Sequence, residues 1–197
     1  MLSFGRYLTR RALAARFGKN SSGATAVEFA MVVPLFLLML GVVVETGMMM
    51  FTEYVLQTSV QEAARIVRTG QAQEQKLTSA QFKTALCRIA KNIMACESKV
   101  TVYMKAGPDF ATLAADPNAS YMKVGAKADG TFDAKTFQCG SREQAVTLIA
   151  SYDWNFTIPY FMKYFGNWNN NNTRRMAGFA VFRNEPFPPV AANVCGA

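Results

Sequence analysis

Three sets of residues carry groups able to do chemistry. In "SSGATAVEFAMVVPLFLLMLGVVVE", residues 21–45, Glu28 places a carboxylate just inside a stretch that otherwise reads as a membrane span. An acidic residue at the centre of a bilayer helix costs roughly 2.5–3.5 kcal/mol, so a charge there points to a function and a partner. Gly23 and Ala24 lie among small residues that precede the apolar run. A cut after Gly23 removes the leader and makes the hydrophobic helix the new N-terminus. Cys87, Cys96, Cys139 and Cys195 form the third set. The chain has no histidine and no C-x-x-C, which argues against zinc and thiol redox chemistry and in favour of disulfides. Four cysteines allow three connectivities.

Catalysis has little to draw on. Without histidine the commonest general base is missing, and there is no P-loop, G-x-S-x-G or H-E-x-x-H. Asp109, Asp116, Asp129, Asp133 and Asp153 are available, but the turn signals "GPD", "DPN" and "ADG" mark most of these positions as turn formers. No catalytic residue, metal site or cofactor is assigned.

The elements that must position these groups begin with the span itself. Residues 29–44 carry no charge, and the apolar character continues in "TGMMMF". About 20 helical residues cross a hydrocarbon core of about 30 Å, which Val27 to Met48 satisfies. Pro34 lies inside this segment, where a bend is expected. Glu45, about 25 Å beyond Glu28 along a helix, falls near the opposite interface and reads as interfacial first and partner-binding second. Arg6, Arg10, Arg11, Arg16 and Lys19 precede the span with no acidic residue among them, and these five account for most of the net charge of +8. Basic residues beside a span stay cytoplasmic, so the C-terminal bulk belongs outside, in an oxidising compartment. The remainder is close to charge balance and has no basic stripe, which excludes nucleic acid as a partner.

Beyond the span, Val55, Leu56, Val60, Ala63 and Val67 recur at helical spacing up to a natural stop at Gly70. Core packing is the expected use of this stripe. "QAQEQKL" reads as a polar connector, and Ser79 to Met94 as a second amphipathic helix. In "KVTVYMKA", Val100, Val102 and Met104 alternate against Thr101, Tyr103 and Lys105, which predicts a strand. Two further strands are expected within 144–158 and 174–186. Gly107 to Gln138 reads as a long excursion with at most a short strand. The aromatics Tyr160, Phe161, Tyr164, Phe165 and Trp168 read as a satellite core under an Asn-rich loop, with a subunit-contact patch as the alternative. Cys87 and Cys96 are about 13.5 Å apart in an unbroken helix, whereas a disulfide needs Cα atoms within about 7 Å. The helix must therefore end or turn back if they pair. The fold class is α+β: a long N-terminal transmembrane α-helix continuing into a small extracytoplasmic domain with a second helix and an antiparallel sheet.

The basic leader ending in Gly23, then Ala24, then Glu28 as the fifth residue and an apolar helix resembles the class III signal of type IV pilins. Within that group "GATAVEFAMVVPLFLLMLGVVVETG" followed by "QEAARIVRTG" is similar to TadE-like pseudopilins of the tight-adherence (Flp) pilus. The resemblance is specific over residues 23–70. It implies a cleaved cytoplasmic leader 1–23, a pilin-like helix 24–70 and an extracytoplasmic domain 71–197. It also implies processing by prepilin peptidase between Gly23 and Ala24, and a subunit-assembly role for Glu28 through the new Ala24 amine of a neighbour. The partners it implies are the other pilins and pseudopilins of the Tad system and the inner membrane. A loose TadE-like pattern favours pairing Cys87 with Cys96 and Cys139 with Cys195. The alternative class is an unprocessed bitopic envelope protein with an extracytoplasmic binding or scaffold domain.

Overall fold

The computed structural model describes residues 23–116, 137–158, 166, 173–188 and 195. Expectations for the Asn-rich and aromatic segment and for most of the excursion before Gln138 lie outside the described residues. Two units divide the chain, Met1–Val44 and Glu45–Ala197.

Helix α1, Ala24–Arg68, contributes to both and continues through Pro34. In the first unit its large apolar side chains, among them Phe29, Met31, Leu35 and Met39, are exposed. This segment is apolar and long enough to cross a membrane. From Glu45 onward the helix is amphipathic: Val55, Leu56, Val60, Ala63 and Val67 are buried, while Met50 and Tyr54 face outward. Gly70 takes a left-handed φ of 83° after the last turn, and the Phe187 ring fills the space a Cβ would need there.

The supposed connector is a corrected expectation. Gln71–Glu74 forms a short helix, α2, whose Ala72 and Gln73 are buried. Helix α3, Ser79–Ala90, starts on a capping box in which Thr78 and Gln81 exchange side-chain and backbone hydrogen bonds. It ends four residues short of the expected Met94. The turn after Ala90 brings the one-turn helix α4, Cys96–Lys99, back so that Cys96 bonds to Cys87 with Cα atoms 5.6 Å apart. A second disulfide joins Cys139 to Cys195.

Strands β1 (Thr101–Gly107), β2 (Ala145–Asn155) and β3 (Thr173–Arg183) form an antiparallel sheet in the order β1-β2-β3. The short helix α5, Phe110–Ala114, follows β1 and is N-capped by Asp109, whose side chain accepts from the Thr112 N–H at 2.7 Å. This bond, reinforced by the Thr112 hydroxyl, holds the Asp109 carboxyl below the usual carboxylate range. The central strand is buried from Ala145 to Tyr152, as befits a strand covered on both faces. One face carries Met104, Leu148, Met176 and Ala180. On the other, Tyr103 packs with Ile149 and Ala177, so the simple alternation expected for β1 gives way to two buried faces. Asp116 is more than a turn former: it accepts from the Tyr103 hydroxyl at 2.6 Å and from Lys105 at 2.5 Å. Burial, and then the Asp116 carboxylate, push the Tyr103 phenol above its ordinary pKa.

Helix α1 meets the sheet at Gly178. A Cβ there would lie 2.9 Å from Val60 Cγ2 and 3.1 Å from the Leu56 carbonyl oxygen. Beside this contact Gln57 acts as a substitute strand, accepting from the Phe179 N–H and donating to the Phe179 carbonyl, both at 3.0 Å. Gln61 adds a bond at 3.3 Å to the same carbonyl. These side chains occupy part of the edge of β3, where open backbone groups invite strand addition.

Gly178→Ala is expected to destabilise the folded unit by about 1–3 kcal/mol through overpacking against the helix backbone, measured by urea unfolding of the detergent-solubilised protein. An unchanged midpoint refutes the contact. For the disulfides, alkylation without reduction should label no cysteine. Chain-entropy reasoning assigns roughly 4 kcal/mol to the Cys139–Cys195 link and roughly 3 kcal/mol to the shorter Cys87–Cys96 link, so loss of the former should lower the midpoint more.

Candidate functional site

The N-terminal end of α1 gathers the residues singled out for processing and assembly. Gly23 immediately precedes the helix, and a Cβ built on it meets no heavy atom of the described residues within 4 Å. Among the described residues nothing crowds this position, in contrast to Gly70, Gly140 and Gly178. Ala24 opens α1, and Glu28 follows one turn later, both exposed. The spacing i, i+4 puts these two residues on the same helical face. The N-terminal turn also carries the positive end of the helix dipole, which favours a carboxylate nearby.

Glu45, at the start of the second unit, has partners within the chain. It is 8% exposed, and its two carboxylate oxygens accept from the backbone N–H groups of Thr157 and Ile158, the latter at 3.3 Å. These donors follow the end of β2, more than 100 residues along the chain. No side-chain pattern could have announced them, because any residue type except proline supplies a backbone N–H.

Two further polar groups missed from the sequence organise the opposite end of the sheet. Gln73 Nε2 donates to the carbonyl oxygens of Cys139 and Gly140, at 3.0 and 3.3 Å. Asn184 Nδ2 donates to those of Cys139 and Ser141, both at 2.9 Å. Gly140, with φ at 68°, lets the chain pass Ala106. Together these bonds hold the segment that carries one half of the second disulfide.

A groove of about 530 Å³ lies between α1 and β3, lined by Gln61, Ala64, Arg65, Arg68 and residues 179–182 of β3. Its arginines are engaged by Glu62 at 3.1 Å and Glu185 at 3.2 Å. The lining contains no nucleophile and no general base. Asp153 forms a two-pronged pair with Arg175 at 2.7 and 2.8 Å, directly across the β2–β3 ladder. Among the described residues no group of three or more His, Cys, Asp or Glu is placed to hold a metal ion. Asp129 and Asp133 lie outside the described residues.

Glu45→Ala leaves the Thr157 and Ile158 donors without their acceptor and should destabilise the second unit by about 1–3 kcal/mol. Hydrogen exchange at those two amides should accelerate while exchange in α3 stays unchanged, and unaltered protection at both amides counts against the clamp.

No curated protein and no solved structure matches the chain. A family match starts at Gly23, takes in Ala24, Glu28 and the apolar run, and stops three residues before the end of α1. Over residues 23–65 the chain matches the family described as TadE-like protein.

Proposed function

We propose that this chain is a TadE-like minor pilin or pseudopilin, processed by prepilin peptidase and needed to assemble the Flp pili of a tight-adherence system in surface adhesion. The observation that carries this reading is the family match, which begins on Gly23 and follows α1 almost to its end. Among the described residues nothing crowds Gly23, which is compatible with its being a recognition residue for a peptidase. Residues 1–23 are the cytoplasmic leader, α1 holds the protein in the inner membrane, and the second unit is extracytoplasmic.

Cleavage after Gly23 creates an α-amine on Ala24, a group with an ordinary pKa of about 7.7–8.0. In an assembling stack, Glu28 of one subunit pairs with the Ala24 amine of a neighbour, so that each charge has a partner in a low-dielectric setting. Removing one member of such a buried pair costs about 3–5 kcal/mol, which disfavours slipped registers. The precursor lacks this pairing because its amine is on Met1.

N-terminal sequencing of membrane-extracted protein should therefore begin at Ala24. A bulky replacement such as Gly23→Leu should leave the full-length chain in the membrane. A start at Met1 in cells with active prepilin peptidase would instead favour the bitopic alternative. Glu28→Gln should insert, be processed and fold normally, yet lose crosslinking to other pilins. Undiminished crosslinking and piliation in Glu28→Gln would remove the assembly role.

A further inference from the structure

The second unit displays an apolar face on α1 that packing leaves uncovered. Met48, Met50, Phe51 and Tyr54 are 49–69% exposed, while Met49, Thr52, Val55 and Leu56 on the other side of the same turns are buried. Met50 and Phe51 are each one turn from Tyr54, so the three share a face. Polar groups in these turns are already satisfied: Thr52 donates to the Met48 carbonyl at 2.8 Å and Thr58 to that of Tyr54 at 3.0 Å. Glu45 has its two backbone donors. Between Glu45 and Glu62 the one charged residue is Glu53, and the first basic residue after Lys19 is Arg65.

Length decides what this face is for. A helix from Val27 to Tyr54 covers roughly 40 Å. That exceeds the hydrocarbon core of about 30 Å and matches the roughly 40–45 Å of a bilayer with its headgroup layers. Tyr and aromatic residues concentrate at that level, where an apolar ring meets a wet edge.

We propose that the face formed by Met50, Phe51 and Tyr54 is a membrane seat, immersed in the outer headgroup layer of the bilayer that α1 crosses. The boundary with water falls beyond Tyr54, not at Glu45. The inference rests on the membrane-span reading of α1. It gives the Glu45 clamp a purpose: near lipid, a carboxylate held by the Thr157 and Ile158 N–H groups need not draw water into the apolar layer. Glu53, at headgroup depth, remains hydrated. The occupant is lipid because the face continues the exposed apolar surface of the span without an intervening charged side chain other than the clamped Glu45.

The test is site-directed spin labelling of the full chain in vesicles of phosphatidylethanolamine and phosphatidylglycerol at three to one. Since all four native cysteines are bonded, single labels are introduced by Leu37→Cys, Met50→Cys, Phe51→Cys, Tyr54→Cys and Gln61→Cys. The ratio of oxygen to nickel-chelate accessibility should be several-fold higher at 50, 51 and 54 than at 61, and highest at 37. In otherwise unlabelled protein, Tyr54→Trp should add fluorescence that is quenched by lipid brominated near the headgroup. Aqueous ratios at 50, 51 and 54 with Leu37 in hydrocarbon would overturn the seat and leave the span intact. Shielding of the three from both reagents would overturn it in favour of a protein contact, and an aqueous Leu37 would remove the span reading itself.

Discussion

Where α1 crosses β3, the missing side chain of Gly178 allows backbone to approach backbone, and the remaining contacts of the second unit build outward from that point. Val60 and the Leu56 carbonyl occupy the space next to it. With the helix that close, Gln57 reaches both backbone groups of Phe179. The stripe from Val55 to Val67 then faces the sheet, and full burial of each large aliphatic side chain contributes about 1.5–3 kcal/mol. A longer side chain at residue 178 would push the helix away and withdraw the Gln57 amide from its partners at once.

Register in the sheet has a second determinant. Asp153 and Arg175 are partners across the β2–β3 ladder, and Arg175 is 2% exposed. Such a pair adds little net stability over apolar packing, since desolvation offsets most of the attraction. A slip of β3 by one residue, however, would part the two charges and turn the side chains of β3 to the opposite face. At the far end of the same strands, Gln73 and Asn184 clasp the carbonyls around Cys139. The second disulfide therefore closes on a segment already positioned by hydrogen bonds.

The glycines separate two kinds of demand. Gly70, Gly140 and Gly178 answer to the fold, through positive φ or close approach. At Gly23 an added Cβ would meet no heavy atom of the described residues within 4 Å, and the family match starts there. Glu28, one turn beyond Ala24, is exposed.

Much of this molecule was legible in the residues alone. The apolar run marked α1, the steps of three and four marked its buried stripe, and the segments read as strands located all three described strands to within a few residues. These signals are local: a helix or strand must repeat its apolar side chains at its own period to bury one face. The early end of α3 and the helix in "QAQEQKL" escaped because tertiary bonds, to Cys96 and to the Cys139–Gly140 carbonyls, override weak local preference. Glu45 shows the limit most plainly. Its charge is visible in the sequence and its place near the end of a span follows from counting, but its partners are two backbone amides that carry no signature. Only the folded chain decides which distant N–H meets a carboxylate, since that depends on where a strand ends in space rather than on which residues compose it.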